Sequence, residues 1–153
     1  MNKSDSDLAQ RIDKDHEELL IALSRLETYF EAEIEPEGFV GWKLDLLGRL
    51  RDFENQLQKH FDLEEDGGYN ADLIRIAPHL APGIARLEED HRKIISDLDH
   101  VLDNVKRIES VYSPVISRIK VRIDALLAFI RAHESEEDAI IQEAYYQDYG
   151  VGD

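Results

Sequence analysis

The chain has 153 residues, 42% of them hydrophobic and 34% charged, with six histidines and no cysteine. That length suits one domain around one core, and the lack of cysteine excludes disulfides and thiolate metal sites, so a metal ion would have to be held by histidines and carboxylates. A net charge of −16 with no basic patch argues against a nucleic-acid or anionic-membrane surface. Residues 1–7 lack the apolar core of a signal peptide, and the longest strongly apolar run, residues 125–130, is far short of a membrane span. A cytoplasmic protein is expected.

Apolar residues recur at helical spacing in four long stretches. The first helix is expected over about residues 6–33, behind a Ser/Asp-rich cap, and ends at the turn Glu35-Pro36-Glu37-Gly38. The second spans about 41–66 and stops at Gly67-Gly68, a glycine stop signal. The longest connection, 69–83, holds two prolines and a short helix over about 71–77. The third long helix spans about 83–109. Ser113-Pro114 then reads as an N-cap and first-turn proline opening the fourth, over about 114–148. The fold class expected is all-α, one antiparallel up-down-up-down four-helix bundle filling residues 1–153.

The heptad seams carry the central observation. The first helix gives Ala9, Ile12, His16, Leu19, Leu23, Leu26 and Phe30; the second gives Leu46, Leu50, Phe53, Leu57, His60 and Glu64. The third gives Ile84, Leu87, His91, Ile94, Leu98, Val101, Val105 and Ile108; the fourth gives Ile116, Ile119, Ile123, Leu126, Ile130, His133, Glu137 and Ile140. Every seam position is apolar except four histidines and two glutamates. These intruders also sit at one level. His16 lies 17 residues before Glu33 and His60 19 residues after Gly41; at helical rise those depths agree within roughly 3 Å. His91 lies 18 residues before Glu109 and His133 19 after Pro114, which matches in the same way. Glu64 and Glu137 follow a histidine by four residues, on the same helix face.

The halves resemble each other. Asp15-His16 matches Asp90-His91, and His60-x-x-x-Glu64 matches His133-x-x-x-Glu137. A pseudo-twofold would give each half one ion. Ionised carboxylates in an apolar core cost several kcal/mol unless paired, and cations remove that cost. Imidazole suits iron, zinc, copper or nickel, and carboxylates can bridge two ions. A lone histidine on an apolar face is usually a satisfied core residue, but four at one level with two glutamates are poorly explained as packing. His79, in the connection, and His100, off the seam, read as ordinary surface residues or as neighbours of the ligands that do not themselves ligate. Tyr145, Tyr146 and Tyr149 read as packing at the end of the fourth helix.

The ordered set His, His-x-x-x-Glu, His, His-x-x-x-Glu on four successive helices resembles the hemerythrin family in its bacterial HHE cation-binding branch, from about Leu8 to Tyr146. The resemblance implies a non-haem diiron centre of two Fe ions with an oxo or hydroxo bridge, with zinc or manganese as substitutes. It assigns His16 and His60 to the first iron, His91 and His133 to the second, and Glu64 and Glu137 to both as bridges. Oxygen-carrying members have a further histidine one turn after the third-helix ligand; here Ile95 stands there and cannot ligate, which speaks against a simple carrier. Some members place a glutamate directly after a ligand histidine. Glu134 matches that position and is a further candidate ligand, set against a reading as a solvated helix-face charge; the second-helix equivalent is Phe61. The implied small-molecule partners are O2, another diatomic or peroxide, in sensing, in peroxide or nitric oxide chemistry or in iron handling, among which the sequence does not choose, with any signal passing to a protein partner or through a homo-oligomer.

Three rival readings compete. A ferritin-like diiron oxidase wants Glu-x-x-His on two helices; Glu88-x-x-His91 fits, but the other half offers only Asp13-x-x-His16. A histidine phosphotransfer bundle needs one exposed histidine. A dizinc site, structural or hydrolytic, is compatible with the ligands.

Overall fold

The computed structural model describes residues 3–150, with side chains from 10 to 145. Ala9, Tyr146 and Tyr149, named above, lie outside the described side chains. The described residues form an all-helical bundle without strands: α1 (Lys3–Glu31), α2 (Phe39–Glu65), α3 (Tyr69–Ile76), α4 (Ala81–Lys106) and α5 (Val115–Gly150), with single 3-10 turns at Pro36–Gly38 and Pro78–Leu80. The short helix expected over 71–77 is therefore α3, a fifth helix. Among the described residues no helix is long and apolar enough to cross a membrane.

Helix ends follow local chemistry and correct several expected boundaries. The third long helix begins at Ala81 rather than Gly83, because Pro82 sits in its first turn, where the missing N–H costs nothing. It ends at Lys106 rather than Glu109, and Lys43 of α2 donates to the Lys106 and Ile108 carbonyls, both at 2.7 Å. That cation satisfies carbonyls left orphaned at a helix C-terminus. At the start of α5 Ser113 accepts the Val115 N–H at 3.3 Å, with Pro114 between them just ahead of the helix start at Val115. At the end of α2 both glycines are needed. A Cβ on Gly67 would collide with the Leu63 carbonyl oxygen, and Gly68 has φ of 85°, which L side chains rarely adopt.

α1 packs on α2 and α5, and α4 on α2 and α5, while α3 lies against α2, α4 and α5. The seam residues face inward as expected from Ile12 to Phe30, Leu46 to Glu64, Ile84 to Ile108 and Ile116 to Glu137. Ile140 is only half-buried, packed against a smaller apolar cluster. The larger cluster runs from Leu19, Leu57, Ile94 and Ile130 toward the 3-10 turn at Pro36–Gly38. The smaller one joins Ile12, Tyr69, Leu73, Leu80, Ile84 and Ala144 under α3. The four seam histidines fall between the two clusters on every long helix. Burying a Leu or Ile side chain stabilises a fold by about 1.5–3 kcal/mol, and this one layer forgoes it.

Candidate metal centre

One layer of the bundle brings together every candidate ligand expected from the sequence. His16, His60, Glu64, His91, His133, Glu134 and Glu137 are all buried, none more than 5% exposed. Each long helix supplies one histidine, because the heptad seam returns to the core at that depth. Glu134, the further candidate ligand, lies among them. It is no solvated helix-face charge: it is 2% exposed, and its Oε2 stands 2.9 Å from His16 Nε2 and 3.6 Å from His60 Nε2.

Glu137 occupies the centre. Its Oε2 lies 3.0 Å from His16 Nε2 and 3.6 Å from His60 Nε2. Its Oε1 lies 3.2 Å from His91 Nε2 and 2.6 Å from His133 Nε2. One oxygen thus faces each histidine pair. Two groups of mutually close ligand atoms result: His16, His60, Glu134 and Glu137 in one, His91, His133 and Glu137 in the other. Glu64 belongs to the layer but to neither tight group. Its Oε1 is 2.8 Å from His60 Nε2 and 4.0 Å from His91 Nε2.

The donor atoms are poorly satisfied by each other. His60 Nε2, His133 Nε2, Glu64 Oε1 and both Glu134 carboxylate oxygens are buried without a hydrogen bond of acceptable geometry. Such orphaned polar atoms each cost about 1–3 kcal/mol and are rare in native cores. Imidazole nitrogens and carboxylate oxygens converging at this spacing fit divalent cations, which would satisfy the orphans together. The protein groups alone perturb one another strongly. Burial would lower the histidines, but the carboxylates outweigh it: Glu134 and Glu137 hold His16 up to about 10, these two and Glu64 hold His60 up to about 12, and Glu137 holds His133 up to about 9. His91 is likewise raised, by Glu137 and Glu65. Burial and the nearby Glu137 push Glu64 up to about 8. Burial acts the same way on Glu134 and Glu137, but the histidines prevail; both are lowered, Glu137 well below the usual range.

The pseudo-twofold breaks at one pair of positions. Glu134 follows His133 and stands against the His16–His60 pair. Phe61 follows His60 and stands against the other pair, stacked on His91 at 3.8 Å between centroids and 9° between planes, and edge-on to His133 at 5.9 Å. Beside it a cavity of about 320 Å³ is lined by Phe61, Glu65, His91, Ile95 and Asp99, among others. His79 and His100 lie outside the layer: His79 is exposed beside Glu143 at 3.3 Å, and His100 is exposed and lines a groove between α4 and α5. Each layer histidine also has a carboxylate near its outward Nδ1. These are Asp138 for His16 at 2.9 Å, Asp15 for His60 at 3.9 Å, Glu65 for His91 at 2.9 Å and Asp90 for His133 at 3.4 Å. The heptad reading missed these acids, although each is next in sequence to a layer residue.

No curated protein and no solved structure matches the chain significantly. The model of the hemerythrin HHE cation-binding domain matches residues 7–145, nearly the whole of the bundle and all seven residues of the buried layer, and the chain belongs to that family.

Proposed function

We propose that this protein is a diiron-binding hemerythrin-like bundle, one domain over its whole length, that binds or responds to O2, another diatomic or peroxide. The observation that carries this is Glu137, whose two oxygens face two separate histidine pairs. In this reading His16, His60 and Glu134 hold one ion, His91 and His133 hold the other, and Glu137 bridges them. Glu64, between His60 of one pair and His91 of the other, is the second bridge. When bound, a non-haem iron pair supplies reversible redox chemistry toward small oxidants.

The chain's own residues make the two positions unequal. The first has a third carboxylate ligand in Glu134. The second has the apolar face of Phe61 in the corresponding place and Ile95 one turn after His91, so it lacks a protein donor there. The small-molecule ligand is assigned to that second position. Apolar clusters on both sides of the layer limit water and favour a small, weakly polar ligand. Contacts between neighbouring long helices run in opposite senses, as with Glu27–Arg131 and His16–Asp138 along α1 and α5; they support the up-down-up-down antiparallel topology, with α3 as a connection. A cytoplasmic location and signalling to a protein partner or a second copy belong to the same proposal.

The ferritin-like alternative is disfavoured because Glu88 turns away to accept a hydrogen bond from Asn70 at 3.1 Å and Asp13 is exposed. A dizinc bundle would use the same side chains. The test is metal analysis of protein produced with adequate iron, joined to its visible spectrum and an azide titration. About two irons per chain and one azide per iron pair are expected. A reproducible content of one metal ion or none, or two zinc ions with no iron uptake, refutes the diiron reading.

A further inference from the structure

The four outer acids form a closed circuit. Asp15 on α1 faces His60 on α2, and Glu65 on α2 faces His91 on α4. Asp90 on α4 faces His133 on α5, and Asp138 on α5 faces His16 on α1. Each helix therefore offers one histidine inward and one acid to the next helix, and every interface between long helices is crossed once. The sequence logic is simple. Asp15 and Asp90 precede a layer histidine, while Glu65 and Asp138 follow a layer glutamate. Successive side chains on a helix diverge by about 100°. When one points at the layer, its neighbour points at the adjoining helix.

The links are not equal. Asp15 and Asp90 stay within their own half and stand 3.9 and 3.4 Å from the ring nitrogen. Glu65 and Asp138 cross from one half to the other, and both stand at 2.9 Å. Resting on the two-ion reading above, we propose that Glu65 and Asp138 are the positioning residues of the centre. Each accepts the Nδ1–H of a histidine belonging to the opposite half and so holds that ring with its Nε2 lone pair toward the ion. A ligand histidine fixed in this way is oriented, locked in one tautomer and made more basic. The consequence runs across the molecule. Glu65, on the helix of His60, governs the ion on His91 and His133. Asp138, on the helix of His133, governs the ion on His16 and His60.

A structural ion pair would behave differently. Asp138 is 53% exposed and Glu65 32%, so as surface pairs they would contribute little to stability. As positioning residues they control metal affinity. The experiment is an anaerobic titration with Fe(II), repeated with Co(II), in competition with a chromophoric chelator, alongside melting of the chelator-stripped proteins. Glu65→Ala and Asp138→Ala should each raise the Kd of one ion by about 10–100-fold, leave the other ion bound, and leave the stripped melting temperature within about 3 °C of wild type. Glu65→Gln and Asp138→Asn keep an acceptor oxygen and should recover much of the loss. Asp15→Ala and Asp90→Ala should have smaller effects. Unchanged affinities, beside a wild type that loads two ions, overturn the proposal and leave the diiron reading standing. So does a loss of affinity that tracks the stripped melting temperature and is not relieved by the amides. A wild type that takes up no ion overturns both.

Discussion

Glutamine at position 137 would keep the shape of the side chain and remove its charge. The carboxylate it replaces lies within 3.2 Å of the Nε2 atoms of His16, His91 and His133 and 3.6 Å from that of His60. Burial opposes ionisation of Glu137, yet these rings hold it well below the usual carboxylate range. Its folded pKa is thus depressed. The stability it contributes is present above the ordinary value near 4.5 and is lost as pH falls through the folded value. Breaking a buried ionic network by removing one partner costs about 3–5 kcal/mol. For a chain of this size 1 kcal/mol moves the melting temperature by about 2–4 °C, so stripped Glu137→Gln should melt roughly 6–20 °C below stripped wild type at pH 7. Glu64 makes the sharp comparison. It is pushed up to about 8 by burial and by Glu137, so at pH 7 it is mostly the neutral acid. An amide there exchanges one neutral group for another, at a cost of about 1 kcal/mol. The assay is thermal melting of wild type and both variants, stripped by chelator and reloaded. Metal at a thousandfold excess over Kd should add about 4 kcal/mol to wild type and less to either variant. Equal losses in the two stripped variants, or no loss in Glu137→Gln, would refute this account of the layer.

His60→Ala and His133→Ala should lower iron content, whereas His79→Ala and His100→Ala should not; equal losses on metal analysis would show that the seam does not select the ligands. Glu134→Ala should weaken the ion on His16 and His60 and spare the other, as read by two-site titration. Metal uptake at pH 7 should release several protons, because the imidazoles and Glu64 are held protonated. Apparent affinity should then climb about tenfold or more per pH unit, and a pH-independent affinity would contradict the charge state derived for the layer. Away from the centre, burial and the adjacent Asp99 push half-buried Glu54 up to about 7. A raised carboxyl contributes stability that is complete below about 4.5 and disappears as pH rises through 7, so Glu54→Gln should stabilise at pH 8 by about 1 kcal/mol after solvent screening and by less at pH 5, in paired melts.

The parts of the site legible in the sequence were those governed by periodicity. A heptad seam states which face of a helix is dry, and His16, His60, Glu64, His91, His133 and Glu137 broke four otherwise apolar seams at one depth. Burial of all six follows from that pattern. Glu134 was harder, because its helical position is about 100° from His133 and the seam alone makes it peripheral. It becomes interior where α5 meets α1, with His16 across the interface, and periodicity along one helix does not report how two helices meet. The outer acids were hidden for the same reason. The repeat Asp15-His16 and Asp90-His91 was visible as a pattern, but its purpose lies on the neighbouring helix. Helix ends shifted where a side chain from elsewhere caps them, as Lys43 does for α4, or where a first-turn proline is tolerated, as at Pro82.

The internal symmetry is most informative where it fails. His-Glu at 133–134 and His-Phe at 60–61 are equivalent positions of the two halves, and they face opposite histidine pairs. A strict repeat would face both histidine pairs with the same side chain, a carboxylate twice or an apolar ring twice. Phe61 adds no donor; it fills the space against His91 and fixes that ring by stacking. Ile95, half-buried one turn along, is equally inert, and both residues line the same cavity. The layer therefore holds one carboxylate-rich histidine pair and one carboxylate-poor pair, with Glu137 facing both. Stability asks only that the buried charges be compensated, and a symmetric layer would meet that requirement. On the proposed two-ion reading, a donor-poor pair beside a cavity would leave one position open to a small ligand.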